Sequence, residues 1–127
     1  MAKYRVIIPI GLKPSPARYE ISAAEILGGY FKADVEFVVR SNYKTPDFLI
    51  KDITWELKSP TGKGKHNIEH QMKAGTKQSG NIVLDARRSK LHISKIRNEL
   101  SNQLLYRKSI KRLILIEKNK NVIELFR

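Results

Sequence analysis

The stretch TPDFLIKDITWELK, residues 45–58, holds two carboxylates and an ammonium at a spacing suited to phosphate chemistry. Alternate side chains of a strand share a face, so Glu56 and Lys58 point one way while Trp55 and Leu57 point the other. With two strands joined by a turn centred on Lys51-Asp52, paired positions sum to 103, and Asp47 faces Glu56. Directly opposed side chains place their Cβ atoms roughly 4.5–5.5 Å apart, where like charges are unfavourable. Two carboxylates so placed want a cation between them. All-oxygen ligation selects Mg²⁺ or Mn²⁺, which keep several waters and need one or two protein carboxylates. Lys58 beside them supplies a positive charge to orient a water or to stabilise a pentacovalent phosphate. A slip of one residue in the register would break the arrangement. A Pro-Asp followed nine residues later by Glu-x-Lys also arises by chance in basic chains, so the flanking elements must agree with it.

The elements that would position this group can be read along the chain. Residues 4–8 form a short strand, followed by a Gly/Pro-rich loop and a helix from about Ala17 to Phe31. Residues 34–39 alternate as a strand does, and residues 41–46 turn. FLI and ITWELK are two strands, and SPTGKGK breaks the pattern. A helix over 66–78, a buried strand over 81–86 and an amphipathic helix over 92–109 follow, the last carrying Ile93, Ile96, Leu100 and Leu104. RLILIEK and NVIELF close the chain as a hairpin. These elements predict one α/β domain over residues 1–127, with a central mixed sheet flanked by helices.

On the first helix, turning about 100° per residue from Glu20 places Ala24, Leu27, Tyr30 and Phe31 within roughly 80° of it. Glu20 therefore sits on the buried stripe and Glu25 faces solvent. A carboxylate there is costly unless it is paired or binds a metal, although the helix dipole also favours an acid in the first turn. On the helix over 66–78, Gln71 and Gln78 share the face of Ile68 and Met72, which directs Gln78 toward the active site or makes it a cap. His66 and His70, four apart, lack an evident third zinc ligand.

Charge points to the partner. The chain has 25 Lys plus Arg against 12 Asp plus Glu, a net +13. Residues 1–64 carry 10 basic and 7 acidic side chains, whereas residues 65–127 carry 15 and 5. Such an excess seeks a polyanion, either nucleic acid or an acidic protein. Thr61, Lys63 and Lys65 could grip phosphates from a glycine-rich loop, and Arg87, Arg88 and Lys90 follow a core strand as candidate backbone contacts. Tyr4, Tyr19, Tyr30 and Tyr43 are too scattered for a base-stacking platform, and Trp55 reads as core. The absence of cysteine excludes disulfides and thiolate metal sites. No apolar run approaches the roughly 20 residues that span a bilayer.

A helix with an early Glu, then PD, then ExK resembles the PD-(D/E)xK superfamily of restriction-endonuclease-like nucleases. More closely, TPDFLI…WELKSPTGKGKHNIEHQMKAGTKQSGNIVLDAR is similar to the CdiA-type C-terminal tRNA nuclease domains of contact-dependent growth-inhibition toxins. EISAAEILGGYFKADVEF and IKRLILIEKNKNVIELF extend the likeness over most of the chain; WELKSPTGKG, Gln78-Ser79 and the strand ending at Asp85 are its specific part. The resemblance implies a restriction-endonuclease-like core, RNA cleavage, a divalent metal and, commonly, a cognate immunity protein. The expected activity is metal-dependent cleavage of tRNA in the cytoplasm, after delivery into a neighbouring bacterial cell. Asp47 and Glu56 hold the metal with the Leu57 carbonyl, Lys58 assists the nucleophile, and Glu20 and Gln78 complete the site. The chain begins at its own Met1 without a visible delivery region, which leaves open a processed toxin fragment or a stand-alone protein. Rival readings are a junction- or structure-specific DNA endonuclease of the same superfamily and a non-catalytic basic nucleic-acid-binding protein.

Overall fold

The structure, a computed structural model, describes residues 4–40 and 45–127. Tyr43 and the start of the turn expected at 41–46 lie outside the described residues. The element order is β1 (Val6–Ile7), α1 (Arg18–Phe31), β2 (Val35–Phe37), β3 (Phe48–Ile50), β4 (Ile53–Lys58), α2 (Asn67–Gly75), β5 (Asn81–Asp85), α3 (Ile93–Tyr106), β6 (Arg112–Ile116) and β7 (Val122–Leu125). The seven described strands lie side by side in chain order. Strands β4, β5 and β6 run parallel, as do β1 and β2, whereas the β2–β3, β3–β4 and β6–β7 pairs are antiparallel. The result is a mixed α/β sheet with three helices.

Strand alternation divides the core into two layers. Ala23, Ala24 and Leu27 of α1 pack on Trp55 and Leu57 of β4, with Val83, Ile114 and Ile116 beyond. Ile68 and Met72 of α2 and Ile96, Leu100 and Leu104 of α3 pack on Ile82, Leu84, Leu113 and Leu115 from the other face. Since Trp55 and Leu57 face α1, Glu56 and Lys58 face the α2 side. Trp55 is fully buried, as its place in an apolar alternation leads one to expect.

The β3–β4 connection sets the register. Lys51 and Asp52 both have positive φ, at 49° and 66°, the geometry of a two-residue turn whose twist suits paired strands. Phe48 then pairs with Trp55, Leu49 with Thr54 and Ile50 with Ile53, so every pair sums to 103. The buried Phe48, Ile50, Trp55 and Leu57 hold this register, because a slip of one residue would turn them all to the wrong face.

The helices differ from expectation in face or extent, α3 ending at Tyr106 rather than 109. α1 buries Ala23, Ala24, Leu27 and Gly28, whereas Tyr30 is exposed. The apolar stripe is therefore rotated from the one centred on Glu20. It follows the small residues because they let the helix approach the sheet closely: a Cβ on Gly28 would stand 3.7 Å from the Val35 Cγ2 of β2. α2 stops at Gly75 rather than 78, and Lys77 and Gln78 donate backbone N–H groups to Ala74 and Gly75 in a turn.

Candidate functional site

Asp47 stands one residue before β3, and its N–H donates to the Trp55 carbonyl at 2.9 Å, one position out of the register of the strand pair. Its carboxylate lies close enough to Glu56 to act on it by charge and hydrogen bonding. One oxygen, Oδ2, accepts the Leu57 N–H at 2.8 Å. The N–H and C=O of one strand residue point to the same side, so the Leu57 carbonyl also faces the Asp47 edge of β4. Asp47 and Glu56 thus lie together where β3 begins, with the Leu57 carbonyl on the same edge of β4.

Glu56 is the unusual member. It is only 6% exposed, and its Oε1 is buried with no hydrogen-bond partner. Its Oε2 lies 3.3 Å from the Lys58 Nζ. Burial, and then the negative charge of Asp47, push the Glu56 carboxyl up to about 8, with Lys58 opposing the shift. An orphaned buried oxygen is costly, and a hard cation bridging Asp47 and Glu56 would satisfy it, so the donor set fits the Mg²⁺ or Mn²⁺ expected from the sequence. Among the described residues no three carboxylate or imidazole side chains converge on one point.

The sign of the pH dependence follows from that raised value. The unfolded carboxyl ionises near 4.5 and the folded one near 8, so the folded state holds the extra proton between those values. Its stabilising contribution is complete below pH 4.5 and is lost as pH rises through about 8. The melting temperature of metal-free protein should fall across this window, and Glu56→Gln should remove that component. Mn²⁺ binding below pH 8 should release about one proton, read by calorimetry in buffers of different ionisation enthalpy. No proton release at pH 6.5 would show Glu56 to be ionised already or not to be a ligand.

Lys58 is held from the α2 side. A Cβ on Gly75 would meet its Cε at 3.7 Å and Ile82 Cδ1 at 3.2 Å, so the last residue of α2 packs directly on the lysine stem. The negative end of the helix dipole there favours an ammonium. Gln78, just beyond, and Ser59, next after Lys58, each have a buried polar side-chain oxygen without a partner. Gln78 follows the end of α2 in a turn, rather than lying on the helical face read from the sequence.

Glu20 is engaged at the start of its own helix. Its Oε1 accepts the Ala17 N–H at 2.8 Å, capping α1, and its Oε2 is 3.5 Å from Arg40. α1 packs on the Trp55–Leu57 face, and among the described residues no hydrogen bond or ion pair joins Glu20 to Asp47 or Glu56. Glu25 is exposed, as expected.

Arg87 is likewise engaged. Asp85, fully buried, accepts from its Nε and a terminal nitrogen at 2.9 and 2.7 Å, while the rest of the guanidinium reaches Ser22 Oγ and the Tyr19 carbonyl. Arg87 therefore ties the end of β5 to α1, leaving little of it for a nucleic acid. Arg88 and Lys90 are exposed, Arg88 lying 3.8 Å over the Tyr19 ring. Thr61, Lys63 and Lys65 are exposed on the loop after β4, and the Gly62 carbonyl accepts the Lys90 N–H at 3.4 Å, which brings the two basic segments together. His66 pairs with Glu69 at 3.7 Å, and among the described residues it has no third metal ligand with His70. Sequence reasoning missed Lys95, which shares a cavity with Lys63 and Lys65; its place in the first turn of a basic helix was the available signal.

The family of contact-dependent growth inhibition CdiA C-terminal domains matches residues 44–122, which include the carboxylate pair, Lys58 and both basic segments. The chain belongs to that family. Among solved structures it is similar to the CdiA-CT/CdiI toxin and immunity complex from Burkholderia pseudomallei, at 17% identity and a TM-score of 0.66, over 96% of this chain and 98% of that one. At this identity the likeness shows the fold. No curated protein matches. No helix among the described residues is long and apolar enough to cross a membrane.

Proposed function

We propose that this CdiA C-terminal domain is a growth-inhibition toxin acting as a metal-dependent endoribonuclease on tRNA, with a PD-(D/E)xK active site. The observation that carries the reading is the buried, unpartnered Glu56 Oε1 beside Asp47, with the Lys58 ammonium 3.3 Å from the other Glu56 oxygen. Asp47, Glu56 and the Leu57 carbonyl would hold Mg²⁺ or Mn²⁺, and a bound divalent cation supplies charge for the phosphate and a more acidic water. Lys58 orients the nucleophile or stabilises the negative charge that develops on the phosphate. The site takes a backbone phosphate, and the +13 charge brings the polyanion to it. An acidic immunity partner fits the same charge, and the similar structure is itself described as a toxin and immunity complex. Action follows delivery into the cytoplasm of a neighbouring cell.

Total tRNA, plasmid and branched DNA, each incubated with the protein and Mg²⁺, test the reading. Cleavage of tRNA alone supports it, cleavage of DNA moves the domain to the endonuclease alternative, and no cleavage of any of them leaves a binding protein. Affinity for tRNA should fall steeply with salt. Neutralising Lys63, Lys65, Arg88 and Lys90 together should flatten the slope of log K against log[salt] by about 3. An unchanged slope in fluorescence titrations would place the interface elsewhere.

A further inference from the structure

A cavity of about 460 Å³ opens between the loop after β4, α2 and the first half of α3. Lys63, Lys65 and Lys95 line it together with Ile68 and Leu91, and Glu99 faces the same space. None of these three lysines, nor Glu99, has a side-chain hydrogen bond or ion pair among the described residues. Three unneutralised ammonium groups around one concavity attract an anion. The cavity is large enough for a small ligand and lies toward the carboxyl end of parallel strands β4 and β5, where α/β sheets present their ligands.

Glu99 decides which anion. A carboxylate inside a site for bare phosphate would only weaken it, whereas a carboxylate accepts well from the N–H groups on a base edge. The apolar Ile68 and Leu91 offer a surface for a base. We infer that this cavity is a nucleotide subsite: Lys63, Lys65 and Lys95 take a phosphate, and Glu99 accepts from a base with two adjacent donors, as guanine presents. Lys63 is five residues beyond Lys58, hence at most about 18 Å away along extended chain. The subsite thus holds a nucleotide flanking the scissile phosphate and rests on the nuclease reading for that role, though not for binding itself.

The test is calorimetric titration of metal-free protein with guanosine monophosphate, uridine monophosphate and inorganic phosphate. Guanosine monophosphate should bind saturably, at least tenfold tighter than either of the others, as loss of a hydrogen bond to a charged group implies. Lys95→Glu should weaken all three, and Glu99→Gln should bring guanosine monophosphate down to the uridine level; melting curves confirm that both variants fold. Equal binding of the two nucleotides, or affinities unchanged in both variants, would overturn the subsite. Guanosine binding by a protein that never cuts RNA would leave the subsite standing and sink the nuclease reading. Cleavage without selective binding would do the reverse.

Discussion

Asp47→Asn and Glu56→Gln should each lower tRNA cleavage by about 10³ or more, which corresponds to at least about 4 kcal/mol of transition-state stabilisation. Neither change should destabilise the metal-free protein. Two facing carboxylates repel, and Glu56 at neutral pH is below the value of about 8 to which its site raises it. It already carries a proton there, so an amide of nearly the same shape replaces a neutral acid. Above pH 8 the Glu56→Gln variant should melt higher than its metal-free parent, because the parent must then ionise a buried group. Lys58→Ala should also be inactive, yet should still bind Mn²⁺, since lysine is not a ligand. RNA binding should persist in all three, because Lys63, Lys65, Arg88 and Lys90 are untouched. Digestion, melting curves and Mn²⁺ calorimetry on the same samples check this, and substantial cleavage by Glu56→Gln with added metal would remove the metal assignment.

Arg87→Met should cost about 3–5 kcal/mol of stability, because it strands the Asp85 carboxylate with no exposure to water. It also releases Ser22 and the Tyr19 carbonyl and loosens α1 on the sheet. Arg88→Met, one residue along, should cost less than about 1 kcal/mol, since an exposed stack on Tyr19 is all it loses. Replacing Asp85 and Arg87 together by apolar residues should recover much of the loss, as removal of a whole buried pair often does. Urea denaturation of the four proteins checks the series. An Arg87→Met variant within about 1 kcal/mol of the parent would show that the pair is not held as described. The basic run after β5 therefore has two jobs: Arg87 braces the fold, and Arg88 and Lys90 remain for a polyanion.

The chemistry of the candidate pair was legible in the chain because it depends on local rules. Strand alternation puts Glu56 with Lys58, and a two-residue turn at Lys51-Asp52 sets the Phe48–Trp55 pairing, next to which Asp47 acts on Glu56; both effects span a dozen residues. The order of elements was legible for the same reason, since each apolar pattern is longer than its errors at the ends. Family membership was legible in the run from TPDFLI to the strand ending at Asp85, within the matched residues 44–122. Tertiary packing decided what lay beyond that range. Which face α1 covers is a property of the assembled sheet, and packing gave Glu20 the Ala17 N–H and Arg40 as its partners. A basic residue after a buried strand looks the same in sequence whether it braces or binds; only the buried Asp85 beside Arg87 and the open solvent around Arg88 separate them. Lys95 met Lys63 and Lys65 because α3 folds back over the loop after β4. Local periodicity carries no distance between residues thirty positions apart, so that cavity existed only once the helices were packed.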